Sequence, residues 1–508
     1  MKVKLSLVVF VCLTFLISYN LACGNSQNKV IKEGKELAQI HCVSCHAFPD
    51  PSLLSKKVWS DVFPKMAELM YVDGYYNHYD ISGPQGDQPA SRKAPEQLFP
   101  YEKWEKIVKY YMVTAPSDQP GRAKKWPEIK SGLTNFATHF IYDIAKVPFT
   151  TLVRFDTSRH QIFFADGNAN KLFALDTKLN LIDSFSVFTG ATDLKFEKDH
   201  LPVITMGILM PSDGKLGKLA FAEKGKTPTV IIDSLQRPVQ TTYADLNGDD
   251  KEDIVISEFG FRYGCLAWFE NEGANKYKKH LLRSLPGATR SEVFDLNKDG
   301  KPDIISLMAQ GDEGIFLYYN EGNGKFREER ALQLPPVYGS NYFQLFDYNK
   351  DGYVDILLTN GDNADYSIVL KAYHGIRIFL NDGTNHFKED VFLPVYGVQK
   401  AMPVDMDNDG DIDLVSISFF PDYENNPKES FIYWENSGND YSQRFTFEEV
   451  TAGRWITMDV GDMDRDGDND IILGNAVLKF GNVPDSLSEK WIKRSPSIVV
   501  LENKLHNK

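Results

Sequence analysis

The stretch Asp295-Leu296-Asn297-Lys298-Asp299-Gly300-Lys301-Pro302-Asp303-Ile304-Ile305 decides the fold. Side-chain oxygens at alternate positions, a glycine at the tight turn and a further carboxylate at Asp303 can surround one hard cation with oxygen ligands. Calcium is the expected ion. An EF-hand would continue into a helix, whereas Ile304-Ile305 opens a β-strand. Asp, Asn and Gly also favour turns by themselves, so one copy alone would read as a solvated acidic turn.

Five copies in register argue against that. Beside Asp295, Asn297, Asp299 and Asp303 stand Asp245, Asn247, Asp249 and Asp253; Asp347, Asn349, Asp351 and Asp355; Asp405, Asp407, Asp409 and Asp413; and Asp462, Asp464, Asp466 and Asp470. The first copy has Asp250 where the others have Gly300, Gly352, Gly410 and Gly467. The first aspartates are spaced 50, 52, 58 and 57 residues apart, a period that indicates propeller blades of several strands each. A second phrase recurs in Asn271-Glu272-Gly273, Asn320-Glu321-Gly322 and Asn381-Asp382-Gly383, as expected of hairpin turns after outer strands. One period upstream, Thr192-Asp193-Leu194 is a degenerate copy, and Val153 to Leu175 is strand-rich without the acidic loop. Five clear and two degenerate units predict seven blades over residues 146–508. These loops resemble the FG-GAP or VCBS repeat family, whose calcium-loop propellers include the integrin headpiece. The resemblance implies up to five calcium ions that stiffen blades and take no part in catalysis.

The strand entering each acidic loop is expected to be innermost. Gln240, Arg290, Asn341, Lys400 and Arg454 lie near the starts of these strands, so they are candidates to line a central funnel for an anionic or carbohydrate-like ligand; polar lining of a watery channel is the plainer account. No Gly-x-Ser-x-Gly elbow, His-Glu-x-x-His pair or Walker loop occurs.

Nearer the N-terminus, Cys42-Val43-Ser44-Cys45-His46 places two thiols three positions apart with an imidazole directly after. Such a stretch can form thioethers to both haem vinyl groups while the histidine ligates iron. A zinc site would need another Cys or His cluster, and none follows. Residues 31–41, 57–70 and 101–114 have helical apolar spacing. Three helices around a haem resemble a small class I cytochrome c, expected over residues 23–120 with a linker at 121–145. For the sixth iron position Met66 is favoured, beside the helix-loosening Pro64. Met70 and His78 remain alternatives, and Met112 reads as core filling.

Residues 1–22 combine Lys2 and Lys4 with a short apolar run and small residues before Cys23, the features of a signal peptide. The stretch resembles a bacterial lipoprotein box, which implies acylation of Cys23 and anchorage at a membrane surface. Cys12 leaves with the leader, and Cys265 is expected inside a strand. The formal net charge of −14, with no Lys/Arg-rich run, excludes the electrostatic footprint of nucleic-acid binding.

The fold class is therefore multidomain, a small all-α cytochrome c followed by an all-β propeller. This combination resembles a type of exported lipoprotein found in Bacteroidetes, held in the periplasm or at the outer membrane. The expected role is single-electron transfer with a redox protein or small-molecule donor, not substrate conversion, with the propeller docking a partner or ligand. One alternative makes the propeller an oxidoreductase with the haem as built-in acceptor. Another is a glycan- or protein-binding surface protein in which the haem senses.

Overall fold

Each of the five acidic loops joins two strands whose sequences alternate or run apolar, and two further strand pairs precede them without such a loop. In the computed structural model, which describes residues 28–44, 46–74, 98–122, 126–364 and 367–506, the described residues fall into two compact units divided between Pro120 and Gly121.

The second unit holds seven sheets, one per blade. Their first strands are Thr150–Asp156, Ala191–Leu194, Pro238–Ala244, Ala288–Phe294, Ser340–Phe346, Val398–Val404 and Trp455–Gly461, in blades 1 to 7. Each first strand pairs antiparallel with the next in its blade; in blade 4, Phe294 faces Asp303 and Val293 faces Ile304. The first strands also meet those of the neighbouring blades, which makes them innermost. Second strands such as Asp303–Met308 are buried on both faces, so they read as continuous apolar runs.

Blade 7 closes the ring. Its own segment gives Trp455–Gly461, Asp470–Asn475 and Ile498–Asn503, and its fourth strand is Phe136–Ile141, with Phe136 opposite Asn503 and Ile141 opposite Ile498. Lys130–Ser131 adds a parallel fifth strand to blade 6. Two segments of the stretch expected as a linker, Lys130–Ser131 and Phe136–Ile141, are thus built into the sheets, because an incomplete blade would leave an apolar face and a ladder edge unpaired. Blade 7 then packs on blade 1 through Val153, Phe155, Ile472 and Val500. Arg122 anchors the start of this unit, its Nη1 and Nη2 donating to the buried Glu429 carboxylate at 2.6 and 2.9 Å.

In the first unit, helix α1 spans residues 28–41, α2 spans Lys56–Leu69 and α3 spans Tyr101–Thr114. α1 and α3 meet at Gly34, where an added Cβ would lie 2.1 Å from the Lys106 carbonyl oxygen; only glycine permits that approach. Lys106 Nζ donates to Glu33 Oε2 at 2.7 Å beside it. Trp59, Phe63, Trp104 and Tyr111 form a cluster of edge-to-face and stacked rings between α2 and α3. Pro64 lies inside α2 without ending it. No helix among the described residues is long and apolar enough to cross a membrane.

Candidate functional site

The acidic loops share one frame. The ninth-position aspartate is buried in every copy, and its two oxygens are committed alike. Asp303 Oδ2 accepts from Leu296 N at 3.0 Å and Oδ1 from Asn320 N at 2.7 Å. The same pair of bonds recurs at Asp253, Asp355, Asp413 and Asp470. Besides offering oxygen to an ion, this carboxylate staples the loop and the third strand together. The asparagine of the second phrase completes the staple: Asn320 Nδ2 donates to Leu246 O and Pro302 O, at 3.0 and 3.1 Å, and its Oδ1 accepts from Gly322 N. The recurring Asn-x-Gly marked this in the sequence, although it reads there only as a turn.

The fourth and sixth loop positions both take positive φ. In blades 4 to 7 the glycine is sixth, with φ between +83° and +93° at Gly300, Gly352, Gly410 and Gly467. In blade 3 the glycine is fourth, Gly248, and Asp250 adopts φ 62° at the sixth; aspartate tolerates that region better than most residues. The first copy therefore keeps the loop backbone despite its irregular sequence.

What differs is the third residue, Asn247, Asn297 and Asn349 in blades 3 to 5 against Asp407 and Asp464 in blades 6 and 7, and the seventh. Lys251 Nζ lies 2.7 Å from Asp249 Oδ2, and Lys301 Nζ lies 2.8 Å from Asp299 Oδ2. The lysine beside it holds each of these aspartates below the usual carboxylate range. Blade 5 has Tyr353 at this place, and Asn349 Nδ2 donates to Asp351 Oδ2 at 2.8 Å. In blades 6 and 7 the residue is Asp411 or Asp468. There the carboxylates converge: oxygens of Asp405, Asp407 and Asp413, and of Asp462, Asp464 and Asp470, lie within 4.8 Å of one another. Burial pushes Asp413 up to about 6 and Asp470 up to about 7. These two triads fit a hard divalent cation. Asp409 and Asp466, also expected as ligands, stand outside the triads.

The expected funnel residues are engaged with other protein groups. Arg290 pairs with Glu292 at 3.1 Å and lies over the Tyr342 ring. Lys400 Nζ donates to Met458 O at 2.7 Å, 4.9 Å from the same ring, and burial lowers its pKa to about 8. Gln240 Oε1 accepts from Ser291 N, and Asn341 Nδ2 donates to Val398 O. These bonds join neighbouring blades. Arg454 is engaged elsewhere, donating to Phe419 O and Leu478 O beside a cavity of about 10 Å³, room for one water. Cys265 is buried in its strand, and burial pushes its thiol up to about 12, which makes it unreactive.

Around the haem-type motif, α1 gives way to a 3-10 turn at Cys42–Ser44. Cys42 is half-exposed. His46 Nδ1 is 2.8 Å from Ala47 O, so Nδ1 carries the proton and Nε2 keeps a free lone pair for a metal. The segment after it is pinned from both helices: Tyr111 Oη donates to Pro49 O at 2.6 Å and Trp59 Nε1 to Pro51 O at 2.9 Å. Thiol, imidazole lone pair and anchored loop fit a covalent haem. Met66, Met70 and Met112 are all half-buried, so burial does not single out Met66 and Met112 is not core. Cys23, Cys45 and His78 lie outside the described residues.

A model of the FG-GAP-like repeat matches residues 245–306, 295–358 and 405–473, which together contain all five loops. A T-cell immunomodulatory protein homolog of Plasmodium falciparum (isolate 3D7) is 24% identical over 215 residues, covering 35% of this chain and 29% of the relative. The chain thus spans less than a third of that relative's length. Among solved structures, similarity extends to BBS1N in complex with ARL6DN, with 11% identity, 74% of this chain, 98% of that chain and a TM-score of 0.44. It extends also to Saccharomyces cerevisiae Sqt1, with 10% identity, 73% of this chain, 98% of that chain and a TM-score of 0.43. Seven sheets in a closed ring, and five loops lying within the repeat matches, make the second unit a seven-bladed β-propeller that carries FG-GAP-like repeats.

Proposed function

We propose that the chain is an exported, lipid-anchored haem c protein that passes single electrons, with the propeller as a calcium-stiffened scaffold for docking a partner. An FG-GAP propeller fits a binding role. The observation that carries the electron-transfer part is the state of His46: within Cys-x-x-Cys-His, its Nδ1 is tied to Ala47 O and its Nε2 is left for iron. Cys42 and Cys45 would hold the porphyrin by thioethers, and Met66 would take the sixth position, with Met70 and His78 as alternatives. When bound, the haem supplies a one-electron couple, whose potential a thioether ligand raises relative to a second imidazole. The chain's own part is to keep the attachment loop fixed, through Tyr111 and Trp59, so that the imidazole does not turn away.

Calcium is assigned first to the triads of blades 6 and 7, Asp405, Asp407 and Asp413, and Asp462, Asp464 and Asp470, where carboxylates converge without a lysine. Acylation of Cys23 would place the protein at the periplasmic or outer-membrane surface.

The test is expression in a host that matures c-type cytochromes. Covalent haem should survive denaturation, giving a haem-stained band and the mass of one porphyrin. Cys45→Ser should lose the second thioether, and His46→Ala should abolish the low-spin spectrum. An unmodified mass with no haem stain would refute the electron-transfer reading while leaving the propeller assignment intact.

A further inference from the structure

The loop of blade 7 presents two sets of metal-ligand atoms that share no residue. One is Asp462, Asp464 and Asp470; the other is Asp466, Asp468 and His506, and in each set the three atoms lie within 4.8 Å of one another. Among the described residues, the blade 6 loop, built on the same template, presents only the first kind.

The difference comes from the end of the chain. Beyond the strand Ile498–Asn503, Leu505 N donates to Asn503 Oδ1 at 3.2 Å, and His506 N donates to Asp468 Oδ2 at 3.1 Å. This brings the imidazole over Gly467, where an added Cβ would lie 3.7 Å from His506 Nδ1. Nδ1 itself is 3.9 Å from Asp468 Oδ2, too far for a direct hydrogen bond.

Asp468 is 1% exposed, and its Oδ1 has no hydrogen-bond partner. A buried carboxylate oxygen without a donor is costly, by about 1–3 kcal/mol, and here the Asp466 carboxylate stands beside it. Five aspartates occupy alternate positions from 462 to 470 with no lysine among them. Arg465 reaches away, to Ser158 O.

We propose that Asp466, Asp468 and His506 bind a second divalent cation, of the borderline class that takes imidazole nitrogen together with carboxylate oxygen, with zinc as the reference ion. Calcium selects all-oxygen sets, so the histidine distinguishes this site from its neighbour. His506 remains 46% exposed at its side chain, which leaves an entry path and a place for water as the fourth ligand. A bound ion would clamp the last turn of the chain onto the loop. Since the two sets share no residue, the zinc site stands or falls apart from the calcium assignment.

The test is equilibrium dialysis of the full chain against zinc in the presence of excess calcium, with His506→Ala and Asp468→Asn as variants and unaltered chain as reference. One zinc ion should resist calcium competition, and both variants should weaken it at least tenfold. In His506→Ala the number of bound calcium ions should not change. Zinc affinity unchanged in both variants would overturn the proposal. So would complete displacement of zinc by calcium, which would mean one shared site.

Discussion

Blades 3 and 4 and blades 6 and 7 use the same nine-residue loop, and they differ at its third side chain, Asn247 and Asn297 against Asp407 and Asp464, and at its seventh. In the first pair a lysine lies against the fifth-position aspartate. In the second pair an aspartate replaces it, and with aspartate also at the third position three carboxylates converge. The backbone is the same in both, with positive φ at positions four and six and the ninth aspartate bonded to two backbone N–H groups. The frame of the loop is therefore independent of how its charge is balanced. An internal ammonium satisfies one pair, and the other pair requires an external cation.

The comparison is most open to disproof through chelation. Removing calcium that had been held at a hundred times its dissociation constant should cost about 3 kcal/mol of propeller stability, read by calorimetry with and without chelator. The combined variant Asp405→Asn with Asp462→Asn should lose that calcium dependence, and Asp245→Asn with Asp295→Asn should keep it. Equal losses in both would erase the distinction between the pairs.

Acid provides a second measurement. The folded-state pKa values of Asp413 and Asp470, about 6 and about 7, lie above the unfolded value of 3.8, so between pH 4 and 7 the folded state holds more protons. Stability without calcium should then fall as pH rises through that window, by up to about 1.4 kcal/mol per pH unit for each group while only its folded form stays protonated. Calcium should remove the slope by binding the ionised form. A chelated propeller that grows more stable from pH 5 to 7.5 would contradict the burial of these groups.

The smallest effect concerns the lysine itself. Lys301→Asp gives blade 4 the seventh residue of blades 6 and 7, and should let its loop bind calcium at least about tenfold more tightly, near 1.4 kcal/mol. The count of bound ions by dialysis should rise by one. No gain would mean that loop geometry, and not the lysine, excludes the ion.

The propeller was legible because its signal repeats. Five loops at a period near fifty, with Asp193 and Val153 one and two periods upstream, gave the blade number before any strand was placed. Phe136–Ile141 escaped because a lone edge strand carries no loop and no period; its partner, Ile498–Asn503, is distant in sequence. The seventh-position contrast is written plainly as Lys251 and Lys301 against Asp411 and Asp468, but its meaning depends on where those side chains turn. His506 could not be placed from sequence, since only the folded chain end brings it to Asp468. At the Cys-x-x-Cys-His stretch, spacing singled out Cys42, Cys45 and His46 as haem candidates, and the structure adds the bond from His46 Nδ1 to Ala47 O. Periodicity alone does not choose among Met66, Met70 and Met112, because each lies on a helix with apolar neighbours.

The strand Phe136–Ile141 also sets a timetable. It is made early, yet the strand it pairs with in blade 7, Ile498–Asn503, is made far later. Until Ile498–Asn503 arrives, its ladder edge is unpaired and open to pairing with a second chain. Joining such distant segments is slow, so the ring should close late in folding. Shortening either end should damage the same blade and leave the same edge exposed to aggregation.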